Sequence, residues 1–303
     1  MEILTALGNT TVLNLAVAVT LVCWGAWGIT DKLALDAAPP LVVLICLNLF
    51  AVPASICIYL ALCAFEPGWM LNGEVMLWTG LATASYFVAM ILYLIAMDMT
   101  EASFILGITS AYPIILQFLS TIFLHEPLVP VRLFASLLVV IGIIFISRSA
   151  KRGDENIKLS PLLILLIVMT TFLWGVWGIF DKKALEAGSP LLVFFGKCIW
   201  DIVCLVLLSS YVLGIKRDIV PRTAPLWIPV SISAICLYLG AFTYLVCLQL
   251  ATASYVVSVT GCYPLIMYLL ALVVLKEKFN TSRLLGIVLI TSGGLVTQTT
   301  QFQ

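Results

Sequence analysis

Charge is scarce in this chain: of 303 residues, 15 are Lys or Arg, 15 are Asp or Glu and one is His. So few ions cannot cover the surface of a water-soluble globule of this size. The formal net charge is +0 and no basic stripe interleaved with aromatics is present, so nucleic acid is not an expected partner. The sequence has no GxxxxGK[ST] phosphate loop, no HExxH pair and no GxSxG elbow. It therefore lacks the residues for ATP hydrolysis, zinc-peptidase or serine-hydrolase chemistry, and neither enzymatic activity, cofactor nor metal is expected. Nine cysteines (23, 46, 57, 63, 198, 204, 236, 247 and 262) all fall in apolar runs without CxxC spacing or His neighbours. They are read as small packing residues rather than a disulfide framework or a zinc site.

What the chain has instead is hydrocarbon, with 63% hydrophobic residues and a mean hydropathy of +1.18. Apolar runs fall at about 12–30, 40–64, 75–97, 102–123, 131–147, 161–180, 190–214, 226–249, 253–275 and 283–300. Most have about the length that crosses roughly 30 Å of hydrocarbon at ~1.5 Å per residue. Lipid offers a backbone no hydrogen-bond partner, and the runs are too long and too uniformly apolar for barrel strands. Ten transmembrane helices in a polytopic all-α protein are predicted. No basic or Ser-rich leader precedes the first run, so no cleaved segment is expected.

The chain also repeats itself. Thirteen of the twenty residues from Trp24 to Val43 recur without a gap between Trp174 and Val193. Further on, Ala102-Ser103, Thr109, Tyr112-Pro113, Glu126, Arg132 and Gly142 match Ala253-Ser254, Thr260, Tyr263-Pro264, Glu277, Arg283 and Gly293 at an offset of 151. Two units, 1–150 and 151–303, are expected to form one transport domain. Five helices per unit is an odd number, so the second copy starts from the opposite side of the membrane and the repeats are inverted. Such a pair can expose a central site first to one side and then to the other.

These residues resemble the drug/metabolite transporter superfamily in its EamA-type branch. The Trp-Gly near the end of the first helix of each repeat stands as Trp24-Gly25 and Trp174-Gly175. The family's Leu-Gly-Glu turn between fourth and fifth helices is similar to Leu124-His125-Glu126 and Leu275-Lys276-Glu277. A basic residue seven positions after the loop proline of the second helix appears as Lys197 after Pro190, whereas Leu47 takes that place after Pro40. The resemblance implies ten helices around a cavity lined mainly by helices 1, 3, 4, 6, 8 and 9. It further implies a small-molecule substrate, a bacterial inner-membrane setting and cytoplasmic termini. Lys and Arg on the connectors, eleven on one side against three on the other, instead place the termini outside under the positive-inside rule. Both orientations stay open.

Lys197 and Asp201 are the charged pair deep within an expected span, at i and i+4 on one helix face. Each alone costs roughly 2.5 to 3.5 kcal/mol at mid-membrane, so they are expected to face one another or a wet cavity. Lys197 would then attract an anionic group of the substrate while Asp201 holds the lysine or accepts a coupling proton. A neutralised structural pair is the alternative. Asp31-Lys32 and Asp181-Lys182 end the first and sixth spans, as interfacial anchors or as a gate. Trp24, Trp27, Trp174 and Trp177 lie near those ends, either as an aromatic belt or as rings that stack on a flat solute. Tyr86, Tyr93, Tyr238 and Tyr244 are cavity candidates, because a phenol in hydrocarbon requires a polar partner, with Asp98 and Gln249 at the ends of the same helices. Pro113 and Pro264, each after a candidate substrate-binding tyrosine (Tyr112 or Tyr263), are expected to break the fourth and ninth helices, a matched feature that points to a transporter site. The expected activity is secondary transport of a small organic metabolite (amino-acid-like, nucleobase- or nucleotide-derived, or an organic acid), with a coupling proton or counter-substrate open. A non-transporting receptor or scaffold on the same fold is the alternative.

Overall fold

The computed structural model describes residues 2–127, 129–149, 160–215 and 220–298. The positive charges counted at 151–158 and at 216–217 lie outside the described residues, as does the Asp154-Glu155-Asn156 connector. Among the described residues, regular structure is helical throughout. In the first half the helices are α1 (Glu2–Leu35), α2 (Pro40–Asn48), α3 (Ala51–Phe65), α4 (Gly73–Asp98), α5 (Ala102–Thr109), α6 (Tyr112–Phe123) and α7 (Pro130–Ser149). The second half has α8 (Pro161–Ala187), α9 (Pro190–Ser209) continued by a π-turn over Ser210–Ile215, α10 (Ala224–Leu250), α11 (Ala253–Thr260), α12 (Tyr263–Val274) and α13 (Thr281–Gln298).

Local chemistry sets the helix starts. Pro161 and Pro190 open α8 and α9 behind Ser160 and Ser189, whose hydroxyls accept the N–H groups of Leu163 and Leu192 at 3.1 and 3.2 Å. Asn72 caps α4 in the same way, accepting from Val75 N at 2.7 Å. Proline also sets the breaks. Pro113 and Pro264 each lack the N–H that would reach the carbonyl four residues back, and the helices part at Ser110–Ala111 and Gly261–Cys262. Pro53 does the same to the carbonyl of Leu49, dividing α2 from α3, a break the apolar pattern alone did not announce.

Eight helical runs are long and apolar enough to cross a bilayer, α2–α3, α5–α6 and α11–α12 each counting as one run. The other two of the ten expected spans fall short, with apolar stretches at Pro130–Ile146 in α7 and Thr281–Gly293 in α13. Large apolar side chains are exposed as well as buried: Leu15, Leu60, Ile122 and Val273 are all more than half exposed. Water would penalise that surface and lipid does not, so this is an integral, multi-pass membrane protein.

The halves interlock by exchange. α1 packs on α10 of the other half, α8 packs on α4, and α7 pairs with α13. Residue pairs fix the directions: Thr20 meets Thr243 while Asp31 meets Ser233, so α1 runs antiparallel to α10. Trp24 meets Trp177 and Trp27 meets Trp174, so α1 also runs antiparallel to α8, its own counterpart in the repeat. The two units are therefore upside down relative to one another. Gly142 and Gly286 let α7 and α13 touch backbone to backbone, for a Cβ on either would collide with the other's carbonyl oxygen.

Two matched clasps close the exchange. Glu126 accepts from the backbone N–H groups of Ala253 (2.7 Å) and Ser254 (3.0 Å) and from the Ser254 hydroxyl (2.7 Å), capping α11 in the other half. Arg132 donates to the same hydroxyl at 2.6 Å. In the mirror image Ser103 donates to Glu277, and Arg283 donates to Ser103 at 2.5 Å and to Glu277 at 3.0 Å and pairs with Glu101. Burial pushes the Glu277 carboxyl above its usual range against the opposing pull of Ser103 and Arg283.

Candidate functional site

Where α1 and α8 cross, the repeated tryptophans form one aromatic cluster arranged about a pseudo-two-fold axis. Trp24 lies 5.2 Å from Tyr244 and 5.9 Å from Tyr263, centroid to centroid, and its counterpart Trp174 lies 5.4 Å from Tyr93 and 6.1 Å from Tyr112. Trp27 meets Tyr93 at 5.2 Å, and Trp177 meets Tyr244 at 5.4 Å. All four indoles are buried, so they form no belt at the lipid boundary. The expected helix ends misplaced them, because α1 and α8 run on to Leu35 and Ala187.

Two adjoining clefts open in this cluster. One is walled by Trp24, Trp27, Tyr86, Tyr112, Trp174, Trp177, Leu237 and Tyr263. The broken helices supply Tyr112 and Tyr263 as the first residues of α6 and α12, and Pro113 touches the opposite break at Gly261. The other cleft opens beside this one. It shares Trp24, Tyr86, Trp177 and Leu237 with the first and adds Leu44, Leu47, Asn48, Phe194, Lys197, Asp201, Tyr238 and Ala241. Tyr93 and Tyr244 stand behind the tryptophans and line neither cleft. Their hydroxyls, like those of Tyr86, Tyr112 and Tyr263, have no hydrogen-bond partner among the described residues.

The charges are arranged differently from the expectation. Lys197 does not turn to Asp201 one helical turn away. It reaches across to α8 and donates to both carboxylate oxygens of Asp181 at 2.8 Å, while lying 4.8 Å above the ring of Trp177. Asp201 is left with a long 3.5 Å hydrogen bond from the Tyr238 hydroxyl. Asp31 and Asp181 are fully buried and so are not headgroup anchors. Asp31 accepts from Ser233 at 2.5 Å, and its second oxygen has no partner among the described residues.

Lys32 and Lys182 are not anchors either. Lys32 donates to the carbonyls of Met97 (2.8 Å) and Thr100 (3.0 Å) at the end of α4, and Lys182 to those of Leu248 and Ala251 (3.0 Å) at the end of α10. An ammonium there satisfies orphan carbonyls at the negative end of the helix dipole and ties each first helix to the third of its own unit. Asp98 and Gln249 are exposed and stand apart from both clefts.

Asn48, Phe194 and Leu237 were not singled out from the sequence. Asn48 carried a readable signal, as a lone amide inside an apolar run just before the break made by Pro53. The other two are apolar residues in apolar helices, and only packing distinguishes them.

No curated protein matches the chain. Among solved structures, a crystal structure of another protein matches 94% of this chain and 97% of its own, with a TM-score of 0.71 at 15% identity, a likeness that shows the fold alone. The model of the EamA-like transporter family matches twice, over residues 12–148 and 161–298, which together cover most of the sequence. The interlocked inverted units, the aromatic clefts at their crossing and this double match together show that the chain belongs to the EamA-like transporter family.

Proposed function

We propose that this protein is a secondary transporter that carries a small organic metabolite across a membrane by alternating access. In this reading α7 and α13 complete a set of ten spans, and residues 1–150 and 151–303 form two units that rock against each other around the central clefts. The reading rests on one observation above the others. Two counterpart helices cross antiparallel at the pseudo-two-fold axis, and the space at their crossing is lined by Trp24, Trp27, Trp174, Trp177, Tyr86, Tyr112, Tyr238 and Tyr263 together with Lys197 and Asp201. The Tyr86 hydroxyl at this space has no partner among the described residues, an unmade hydrogen bond that costs about 1 to 3 kcal/mol and that a polar guest would offset. A polar, aromatic cleft at the repeat interface has the geometry that alternating access requires.

The test is uptake into proteoliposomes of labelled amino acids, nucleobases, nucleotide derivatives, organic acids and amines. Saturable flux of at least one solute, reduced at least tenfold in Trp177→Ala at equal reconstitution, is the expected result. Binding without saturable flux of any solute would make the protein a receptor or scaffold and overturn the transport reading.

A further inference from the structure

The larger cleft has a charge imbalance from which we infer its guest: a small organic cation, an aromatic or alkyl amine whose ammonium group seats against Asp201 within the aromatic wall. The inference rests on the transport reading above and names the class of solute. Lys197 is one cation facing two carboxylates. Asp181 occupies it fully, taking both oxygens to within 2.8 Å of the ammonium, so Lys197 is not free to receive an anionic guest. Asp201 lines the cleft and accepts, among the described residues, only the long hydrogen bond from Tyr238. Two buried carboxylates facing one ammonium leave an uncompensated negative charge, which is costly, and a guest cation balances it.

The walls fit the same guest. Trp24, Tyr86, Trp177, Phe194 and Tyr238 line the same cleft as that carboxylate, and indole and phenol faces attract a desolvated ammonium. The molecule itself shows that this wall tolerates one, since the Lys197 ammonium rests 4.8 Å above the Trp177 ring. The Tyr86 hydroxyl, buried at the cleft without a partner among the described residues, remains for the guest's polar atoms.

The asymmetry of the repeat points the same way. The positions matching Lys197 and Asp201 in the first half are Leu47 and Ala51, and that matching Tyr86 in the second half is Leu237. Lys197 and Asp201 thus line one cleft on one side of the axis, although the four tryptophans are symmetric about it.

The purified protein in detergent can be tested by thermal shift with three probes of one shape: 2-phenylethylamine, 3-phenylpropanoate and 2-phenylethanol. The amine is expected to raise the melting temperature saturably, while the anion and the alcohol leave it unchanged. Asp201→Asn should weaken the amine response at least tenfold in half-saturating concentration, and Asp201→Glu should retain it. A response to the anion or the alcohol equal to that of the amine, no response to the amine, or an undiminished response in Asp201→Asn would each overturn the inference. Charge selectivity in the unsubstituted protein decides the matter even if Asp201→Asn does not fold. Saturable flux of another solute alongside indifference to amines would remove this inference alone, and amine binding with no flux of any solute would remove the transport reading alone.

Discussion

Lys197 has two carboxylates within reach and chooses the one on another helix. Asp181 lies on the neighbouring α8 and offers both oxygens at 2.8 Å, a geometry that an i,i+4 partner on its own helix seldom gives a lysine. Because a second carboxylate stands by, the two ways of breaking the pair are not equivalent. In Asp181→Asn the ammonium can swing one turn along α9 to Asp201, so the loss should be small. In Lys197→Met two buried carboxylates lose the cation between them, and the cost should approach the ~3 to 5 kcal/mol of an abandoned buried ion pair. Unfolding midpoints in a sodium dodecyl sulfate titration check this; equal losses in the two variants would mean that Asp201 provides no alternative seat. Counting along a single helix could not foresee the pairing, because the sequence pattern shows spacing within α9 and nothing of what faces it from α8.

At the scale of elements, the ends of α6 and α12 carry a departure from what their backbone favours. His125 and Lys276 adopt φ of 54° and 55°, just after the helix, and the N–H groups of Glu126 and Glu277 reach back six residues to the carbonyls of Ser120 (3.3 Å) and Ala271 (3.2 Å). Glycine holds such a left-handed position after a helix without steric cost. The resemblance of these turns to Leu-Gly-Glu thus has a physical basis: the turn asks for glycine and this chain meets it with His and Lys. His125→Gly is therefore expected to raise stability by about 0.5 to 1 kcal/mol, and Lys276→Gly similarly, read as an increase in melting temperature. A decrease in both would mean that the side chains contribute more than the strain removes. Much at this scale was legible in the sequence: eight of the ten expected spans, the proline breaks in α5–α6 and α11–α12, and the copy-to-copy correspondences. The break between α2 and α3 was hidden because Pro53 acts four residues upstream of itself. The depths of Asp31 and Asp181 were misjudged because their helices outlast the apolar runs by a turn or more.

On the scale of the whole molecule, a repeat offset tells which residues are equivalent but not which ones touch. The inversion, expected from five spans per unit, is seen in the antiparallel crossing of α1 and α8, whereas the exchange of α1 onto α10 and of α8 onto α4 is a property of three-dimensional packing. The same exchange gives the clasps their meaning. Glu126 of one unit caps α11 of the other, and Glu277 returns the contact at Ser103 in the first turn of α5. Inversion places these two clasps on opposite faces of the membrane, so one cannot relax into the space left by the other. Glu126→Gln and Glu277→Gln should each lower stability by about 1 to 3 kcal/mol, since each converts charge-assisted hydrogen bonds into neutral ones beside a buried arginine. Sites this far apart with no shared partner add to within about 0.5 kcal/mol, so the double variant should lose the sum of the single losses in the same detergent titration. A double loss well below that sum would mean that the two faces are mechanically coupled through the core, with one open clasp already loosening the other.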